Sequence, residues 1–265
     1  MPLMIDHIVI AVADLDQAMR GYAALGFTVL PGGEHPRGSR NALVVFADGA
    51  YLEIIAFPRP VPDFRWWRVL DSAGPGLVDY AVLPEDFAAD LARARAAGVV
   101  MDGPIEGGRL RPDGERLAWI SARPPEPDIP FLCTDVTARS LRVSEGAARR
   151  HANGVTGVAG ITVAVQDLAG SAARYRALLG REPVATGAVP GLGFGLVQFR
   201  IGRQTLSLVE PRGPASASLA EHLLRRGQGA YAVSFYGPQD GPLDEGSAQG
   251  ARLEIVRDLG EETAS

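Results

Sequence analysis

A segment with an alternating apolar pattern, followed by apolar residues at helical spacing, occurs more than once along the chain. The segment IVIAVADL at 8–15 is echoed by ITVAVQDL at 161–168, and Tyr22 and Tyr175 lie at the same offset. Alternation with a period of two predicts a half-buried strand, and apolar spacings of three and four predict an amphipathic helix. The sequence therefore predicts an internal repeat of strand and helix.

A weaker copy, LVDYAVL, lies at 77–83. Each predicted helix starts at an Asp whose side chain can accept a bond from an early backbone N–H, and stops at a Gly suited to the left-handed conformation. In chain order the starts are Asp14, Asp86 and Asp167, and the stops are Gly26, Gly98 and Gly180. Short strands follow each helix, so the predicted unit is β-α-β-β-β.

These units predict an α+β fold in two halves. The first half spans 1–136, with modules at about 4–58 and 77–135, and the second spans 157–265, with a module at about 157–211. A shortened fourth module follows at 230–256, but its helix is not identifiable. The segment 137–156 between the halves is either a connecting strand or a linker.

Composition narrows the choice of partners. The 265 residues carry 26 Lys and Arg against 31 Asp and Glu, a net charge of −5, and no basic run is long enough to track a phosphate backbone. No stretch approaches the ~18 apolar residues of a membrane span. The single cysteine, Cys133, favours a reducing cytoplasm and is interpreted as a buried bystander. We expect neither a nucleic-acid partner, nor a membrane, nor a nucleotide cofactor.

Four segments resemble the glyoxalase-like domain family of the vicinal oxygen chelate superfamily. They read DHIVIAVADL at 6–15, GGEHP at 32–36, NAL at 41–43 and DGAYLEIIAF at 48–57. The resemblance implies that modules pair into curved, partly open mixed sheets, with two module pairs in this chain. It also implies a divalent metal in the hollow of a pair, held by a His from the first strand and a Glu from the last strand of a module.

Strand parity gives an independent check on these two positions. In the first strand, His7 shares a face with Ile5 and Val9, and in the last strand Glu53 shares a face with Tyr51. A buried carboxylate costs several kcal/mol unless a cation or hydrogen bonds meet it. We therefore expect His7 and Glu53 to face one cavity and to act as metal ligands or as catalytic groups.

A third ligand is expected from the second module. Superposing that module on the first sets Asp79 on His7 and Phe131 near Glu53. The set His7, Glu53 and Asp79 would suit Zn²⁺, Mn²⁺, Mg²⁺ or Fe²⁺. In the second half the same positions are Gly160 and Ser207, which argues against a ring-cleaving dioxygenase, because those superfamily members bind iron there.

Five further residues are candidates for substrate binding, each with a structural alternative. His35 lies in a loop that either folds over the cavity or stays exposed, and Arg40 and Asn41 follow it. Arg40 is suited to pairing with a substrate carboxylate or to solvation. Trp66 and Trp67 form either an aromatic rim or ordinary packing.

Together these features favour a cytoplasmic, metal-dependent lyase or isomerase that acts on a small α-oxygenated carbonyl or carboxylate through an enediolate. This reaction class is what the family resemblance implies. The main alternative is a non-catalytic protein that sequesters a small molecule, as the superfamily's antibiotic-resistance proteins do. A degenerate fold used for partner binding is the third hypothesis. A monomer and a homodimer both remain open.

Overall fold

The structure, a computed structural model, describes residues 3–36 and 38–258 and is built from repeated modules. The first half contains β1 (Met4–Val12), α1 (Leu15–Ala24), β2 (Leu30–Glu34), β3 (Arg40–Val45), β4 (Tyr51–Ala56), α2 (Arg65–Ala73), β5 (Gly76–Leu83), α3 (Phe87–Ala96), β6 (Asp102–Leu110), β7 (Arg116–Arg123) and β8 (Phe131–Asp135). A connection containing α4 (Arg139–Arg142) leads to the second half. That half contains β9 (Gly157–Ala164), α5 (Leu168–Leu179), β10 (Ala185–Val189), β11 (Phe194–Ile201), β12 (Gln204–Pro211), α6 (Ala217–Arg226), β13 (Gly229–Gly237), β14 (Gly241–Pro242) and β15 (Leu253–Arg257).

The two halves close their sheets to different extents. In the first half the strands form a barrel in the order β1-β4-β3-β2-β6-β7-β8-β5, which is closed where Glu34 pairs with Leu110. In the second half they form an open sheet in the order β10-β11-β12-β9-β13-β15-β14. The α+β architecture with two module pairs is confirmed. The first pair closes further than the partly open sheet that the family resemblance implies.

The predicted helix boundaries are confirmed in all three copies. The side chains of Asp14, Asp86 and Asp167 accept the backbone N–H three residues later. Gly26, Gly98 and Gly180 have φ of +86°, +86° and +63° and follow the helices as expected. These caps stabilise a helix by about 1 kcal/mol each, which explains why so short a sequence signal fixes the helix start.

Two helices and the connection between the halves differ from the prediction. Helices α2 and α6, which precede the second module of each half, were not predicted from the sequence. The segment 137–156 is neither a strand nor a plain linker, because it contains α4 and a single-turn helix at Gly146–Arg149. In the fourth module, turns at 245–250 stand between β14 and β15, and the described residues there form no helix.

One hydrophobic core joins the halves. Ile8 and Ile10 of β1 point away from the barrel interior into a cluster that also contains Val163 and Phe235 of the second half. At about 25 cal/mol per Å² of buried apolar surface, this cluster supplies most of the favourable term in folding. The hydroxyls of Tyr80 and Tyr175 pair across the same core.

Within the described residues, no helix has the length and apolarity needed to cross a bilayer.

We predict that Gly33→Ala destabilises the protein by about 3 kcal/mol, measured by urea unfolding. Gly33 has φ +141°, and an added Cβ would collide with the carbonyl oxygen of Leu110 at the barrel closure. Gly49→Ala is the control, since Gly49 has φ +86° but open space around it, and it should cost only about 1 kcal/mol. Equal losses in the two variants would show that the closure tolerates the extra atom.

Candidate functional site

A cavity of about 290 Å³ lies inside the barrel of the first half. All the residues that line it fall within 7–142, so, among the residues described, the second half contributes none of its wall. The lining is largely apolar and aromatic, with Phe57, Phe64, Trp66, Trp119 and Phe131. A small number of polar groups inside an apolar hollow is the usual form of a small-molecule site.

His7 and Glu53 both line this cavity. They lie on the paired parallel strands β1 and β4, with Val9 opposite Glu53. The distance between His7 Nε2 and Glu53 Oε2 is 3.7 Å. The two residues are 4% and 6% exposed, so neither charge is screened by bulk water.

The face of Ile5 was predicted wrongly. The pairing of β1 with β5 shifts by one residue between Ile5 and His7. Because of this shift, Ile5 packs in the core that the two halves share, and the side chain of Asp6 lies beside that of His7. Asp6 is fully buried, and its Oδ2 lies 2.7 Å from His7 Nδ1. The irregularity in β1 therefore brings two consecutive polar residues into one cluster, which simple strand alternation forbids.

Arg142 and Arg139 keep Asp6 ionised. The guanidinium of Arg142 contacts both Asp6 oxygens, at 2.6 and 3.2 Å, and Arg139 Nη1 lies 2.7 Å from Asp6 Oδ1. Burial raises the pKa of Asp6, but Arg142, His7 and Arg139 together hold it well below its usual range. An ionised Asp6 accepts a hydrogen bond from His7 Nδ1, which orients the ring so that Nε2 faces Glu53.

Glu53 is held between two imidazoles. Its Oε1 accepts a hydrogen bond from Asn41 Nδ2 at 2.7 Å and lies 3.6 Å from His35 Nε2. Burial raises the pKa of Glu53, but His35, His7 and the Asn41 bond outweigh it and set that pKa below its ordinary value. Burial lowers the pKa of His35 in turn. The site thus surrounds one carboxylate with groups that stabilise its ionised form.

Asp79 does not join this group. It pairs with Val9 in the position related to His7 by the two-fold symmetry of the modules, as the module alignment predicts. However, Arg65 and the indole N–H of Trp66 both donate to its Oδ2, and its Oδ1 accepts the N–H of Tyr80. Helix α2, absent from the sequence prediction, supplies Arg65 and Trp66 and so occupies this carboxylate.

The donor set therefore does not fit the metal that the resemblance implies. In the second module, the position that corresponds to Glu53 is Phe131, which pairs with Ala81 and whose side chain has no donor atom for a metal. Over residues 3–36 and 38–258, no group of three His, Cys, Asp or Glu side chains is arranged to hold a metal ion. Without Asp79, the predicted set of His7, Glu53 and Asp79 keeps two members, which is short of the three protein ligands that a catalytic ion needs.

The predicted substrate-binding residues divide into two groups. His35, Asn41 and Trp66 line the cavity. Arg40 is exposed and lies 3.6 Å from Glu34, and Trp67 is half-buried on a different side of α2 from Trp66, so neither is part of the lining. Successive residues of a helix are about 100° apart, which explains why only one of the two tryptophans reaches the site.

Sequence reasoning missed the arginines of the cavity. Arg109, Arg123 and Arg142 all line it, together with the predicted bystander Cys133. Cys133 is buried, and burial raises its pKa to about 12, so it is a thiol at neutral pH. Sequence reasoning also missed Asp6 as the partner of His7. The adjacency of the two residues in the sequence was a signal for it, because a functional imidazole commonly donates a hydrogen bond to a carboxylate.

Comparison with known proteins places this arrangement in a family. A model of the glyoxalase-like domain matches residues 5–179, which cover the whole cavity. The chain belongs to the glyoxalase-like domain family. No curated protein matches the sequence.

Several solved structures share the fold of this chain at low sequence identity. A hypothetical protein from Staphylococcus aureus is 13% identical with a TM-score of 0.72, over 96% of this chain and 99% of the other. A mutant of 4-hydroxymandelate synthase from Streptomyces coelicolor is 18% identical with a TM-score of 0.60, over 90% and 72%. A fusion of a xylose isomerase-like TIM barrel with 4-hydroxyphenylpyruvate dioxygenase is 18% identical with a TM-score of 0.55, over 89% and 36%. At these identities the likeness concerns the fold alone.

We predict that Asp6→Asn destabilises this glyoxalase-like protein by about 3 kcal/mol, because it leaves the buried charge of Arg142 with less compensation. Urea unfolding at neutral pH measures the loss. Asp71→Asn, at an exposed position of α2, is the control and should stay within about 0.5 kcal/mol of the native protein. A similar decrease in the free energy of unfolding in both variants would contradict the proposed contribution of the buried Asp6–Arg142 pair to stability.

Proposed function

We propose that the protein is an enzyme of the lyase or isomerase type that moves a proton next to the carbonyl or carboxylate group of a small molecule. The chain of contacts from Asp6 through His7 to Glu53 supports this function most strongly. It places a buried, ionised base in an enclosed and mainly apolar cavity. Buried acid–base groups with perturbed pKa values are typical of catalytic sites.

In the proposed step, Glu53 removes a proton from the carbon beside the substrate carbonyl. The C–H bond breaks, the proton passes to a carboxylate oxygen of Glu53, and the electron pair moves to the carbonyl oxygen. His7, whose ring is oriented by Asp6, turns Nε2 toward Glu53 and holds the carboxylate in position, and Glu53 then returns the proton to the neighbouring carbon. His35, on the other oxygen of Glu53, is placed to donate to the developing enolate oxygen.

The same residues would be the ligands if a divalent ion took part, as the family resemblance implies. The third position is the obstacle, because Asp79 is bound by Arg65 and Trp66. We therefore assign His7 and Glu53 to proton transfer. The buried Cys133 thiol agrees with a reducing compartment, and a cytoplasmic location stays a proposal.

Sequestration of a small molecule without chemistry is the second candidate. The aromatic lining favours it, because Trp66, Phe64 and Phe57 form a contiguous apolar wall on one side of the cavity. Such a surface holds an apolar ligand whether or not a base is present. The two functions differ in their dependence on the Glu53 carboxylate.

Hydrogen exchange at carbon separates the two candidates. We predict that the protein accelerates the loss of the C3 protons of α-keto acids such as pyruvate and phenylpyruvate in deuterium oxide, followed by proton NMR. Glu53→Gln should lower the rate about 100-fold or more, because the amide cannot accept the proton. Glu115→Gln, in an exposed turn, should leave it unchanged.

Dialysis against a chelator tests the role of Glu53 in the same assay. An unchanged rate with the native protein supports proton transfer by the protein's own groups. A rate that falls on chelation and returns with added zinc, manganese, magnesium or iron would assign Glu53 to a metal. If no α-keto acid exchanges faster with the native protein than with Glu53→Gln, catalysis of this class is excluded for these substrates.

The pH profile of exchange gives a further prediction. Glu53 acts when ionised, and its pKa lies below its ordinary value of 4.5, so the rate should persist at about pH 5 and fall as the pH drops below 4.5. Among the charges that lower this pKa, that of His35 contributes most. His35→Asn should therefore move the acid limb to higher pH. If the acid limb of the pH profile does not move in a folded His35→Asn variant, the role of Glu53 as the base is contradicted.

A further inference from the structure

Arg123 is a cation in the cavity that the proposed proton transfer does not use. It is the last residue of β7, and its guanidinium carbon lies 4.2 Å from the ring centroid of Phe131 and 4.9 Å from that of Trp66. Stacking on two aromatic faces holds the guanidinium plane and leaves its N–H edges for other partners. The position of Arg123 is thus fixed by apolar surfaces.

The other two arginines of the cavity have partners within the protein. Arg142 is paired with Asp6 and Asp135, and Arg109 donates to the carbonyl of Gly32. Arg123 differs from both. Within residues 3–36 and 38–258, its guanidinium has neither a hydrogen bond to the protein nor a carboxylate oxygen within 4.0 Å, and the nearby Asp79 is already bound by Arg65 and Trp66.

Arg123 is half-buried, and partly burying a cation without a counter-charge is costly. Burial lowers the pKa of Arg123, whereas Asp79 and Glu53 raise it less. Arg123 and Glu53 line the same cavity. An anion that entered the cavity would meet a half-buried guanidinium held against two aromatic rings, and the Glu53 cluster in the same lining.

We propose that Arg123 binds the carboxylate of the ligand, and that the ligand class is a monocyclic aromatic or similarly apolar acid of small size. The proposal deepens the function given above and rests on the same cavity. A planar carboxylate matches the guanidinium fork, and Phe57, Phe64 and Trp119 supply apolar surface for the body of the ligand. The volume of about 290 Å³ suits one ring with a short acidic side chain.

Binding of an acid and its neutral amide tests the proposal without any reaction. Hydrocinnamate and hydrocinnamamide differ in charge and little in shape, and calorimetry or quenching of tryptophan fluorescence reports their affinities. The native protein should bind the acid about tenfold tighter than the amide or better, as expected for a hydrogen-bonded charge pair. Equal affinities, or no binding of the acid at millimolar concentration, would overturn the proposal.

Variants locate the effect. Arg123→Met should remove the preference for the acid and leave the affinity for the amide within about twofold, whereas Arg123→Lys should keep part of the preference. Arg116→Met, at the exposed start of the same strand, is the matched control and should retain all of it. If Arg123→Met does not fold by circular dichroism, the preference of the native protein and its change in Arg123→Lys decide the matter. An unchanged preference in a folded Arg123 variant refutes the assignment.

Failure of the proposed reaction gives a different result. Glu53→Gln should still prefer hydrocinnamate over its amide. A preserved preference together with no α-keto acid exchange would reject the catalytic proposal and leave the role of Arg123 intact.

Discussion

The buried pair between Asp6 and Arg142 sets the geometry on which the rest of the site depends. Arg142 comes from α4 in the connection, beyond the last strand of the barrel, and it also contacts Asp135 and the hydroxyl of Tyr51. Because two charges buried together are stable only when both are satisfied, the connection must pack against β1 for the barrel to form as it does. The segment between the halves is therefore part of the site.

From this pair the chemistry follows stepwise. An ionised Asp6 accepts a hydrogen bond from His7 Nδ1 and so directs Nε2 toward Glu53. Tyr51 stacks on the His7 ring with the centroids 4.7 Å apart and limits its rotation. A ring that is held on one side by a carboxylate and on its face by an aromatic cannot turn away from Glu53. The base is thus preoriented before a ligand enters, which is what efficient proton transfer requires.

Much of the fold could be predicted from the sequence because it depends on local rules. The Asp and Gly pair around each helix and the alternation in β1 and β4 are read from neighbouring residues, and both correspond to the structure. The irregularity between Ile5 and His7 could not be read in this way, because a strand shift depends on its partner strand. The same holds for Arg142, whose partner Asp6 lies 136 residues away in the sequence.

The difference between the two module pairs shows how one architecture holds a site in one half only. In the second half, Gly160 stands where the first has His7, and a Cβ there would collide with the carbonyl of Thr205, so the close approach of the strands excludes a longer side chain. In the first half, Asp79 stands at the other symmetric position, but α2 neutralises it with Arg65 and Trp66. A carboxylate neutralised in this way no longer repels an incoming anion. The pairing of Asp79 with residues of α2 therefore favours the entry of an acid next to Arg123. The same contacts remove Asp79 as a third metal ligand, so one structural cause accounts for both properties of the cavity.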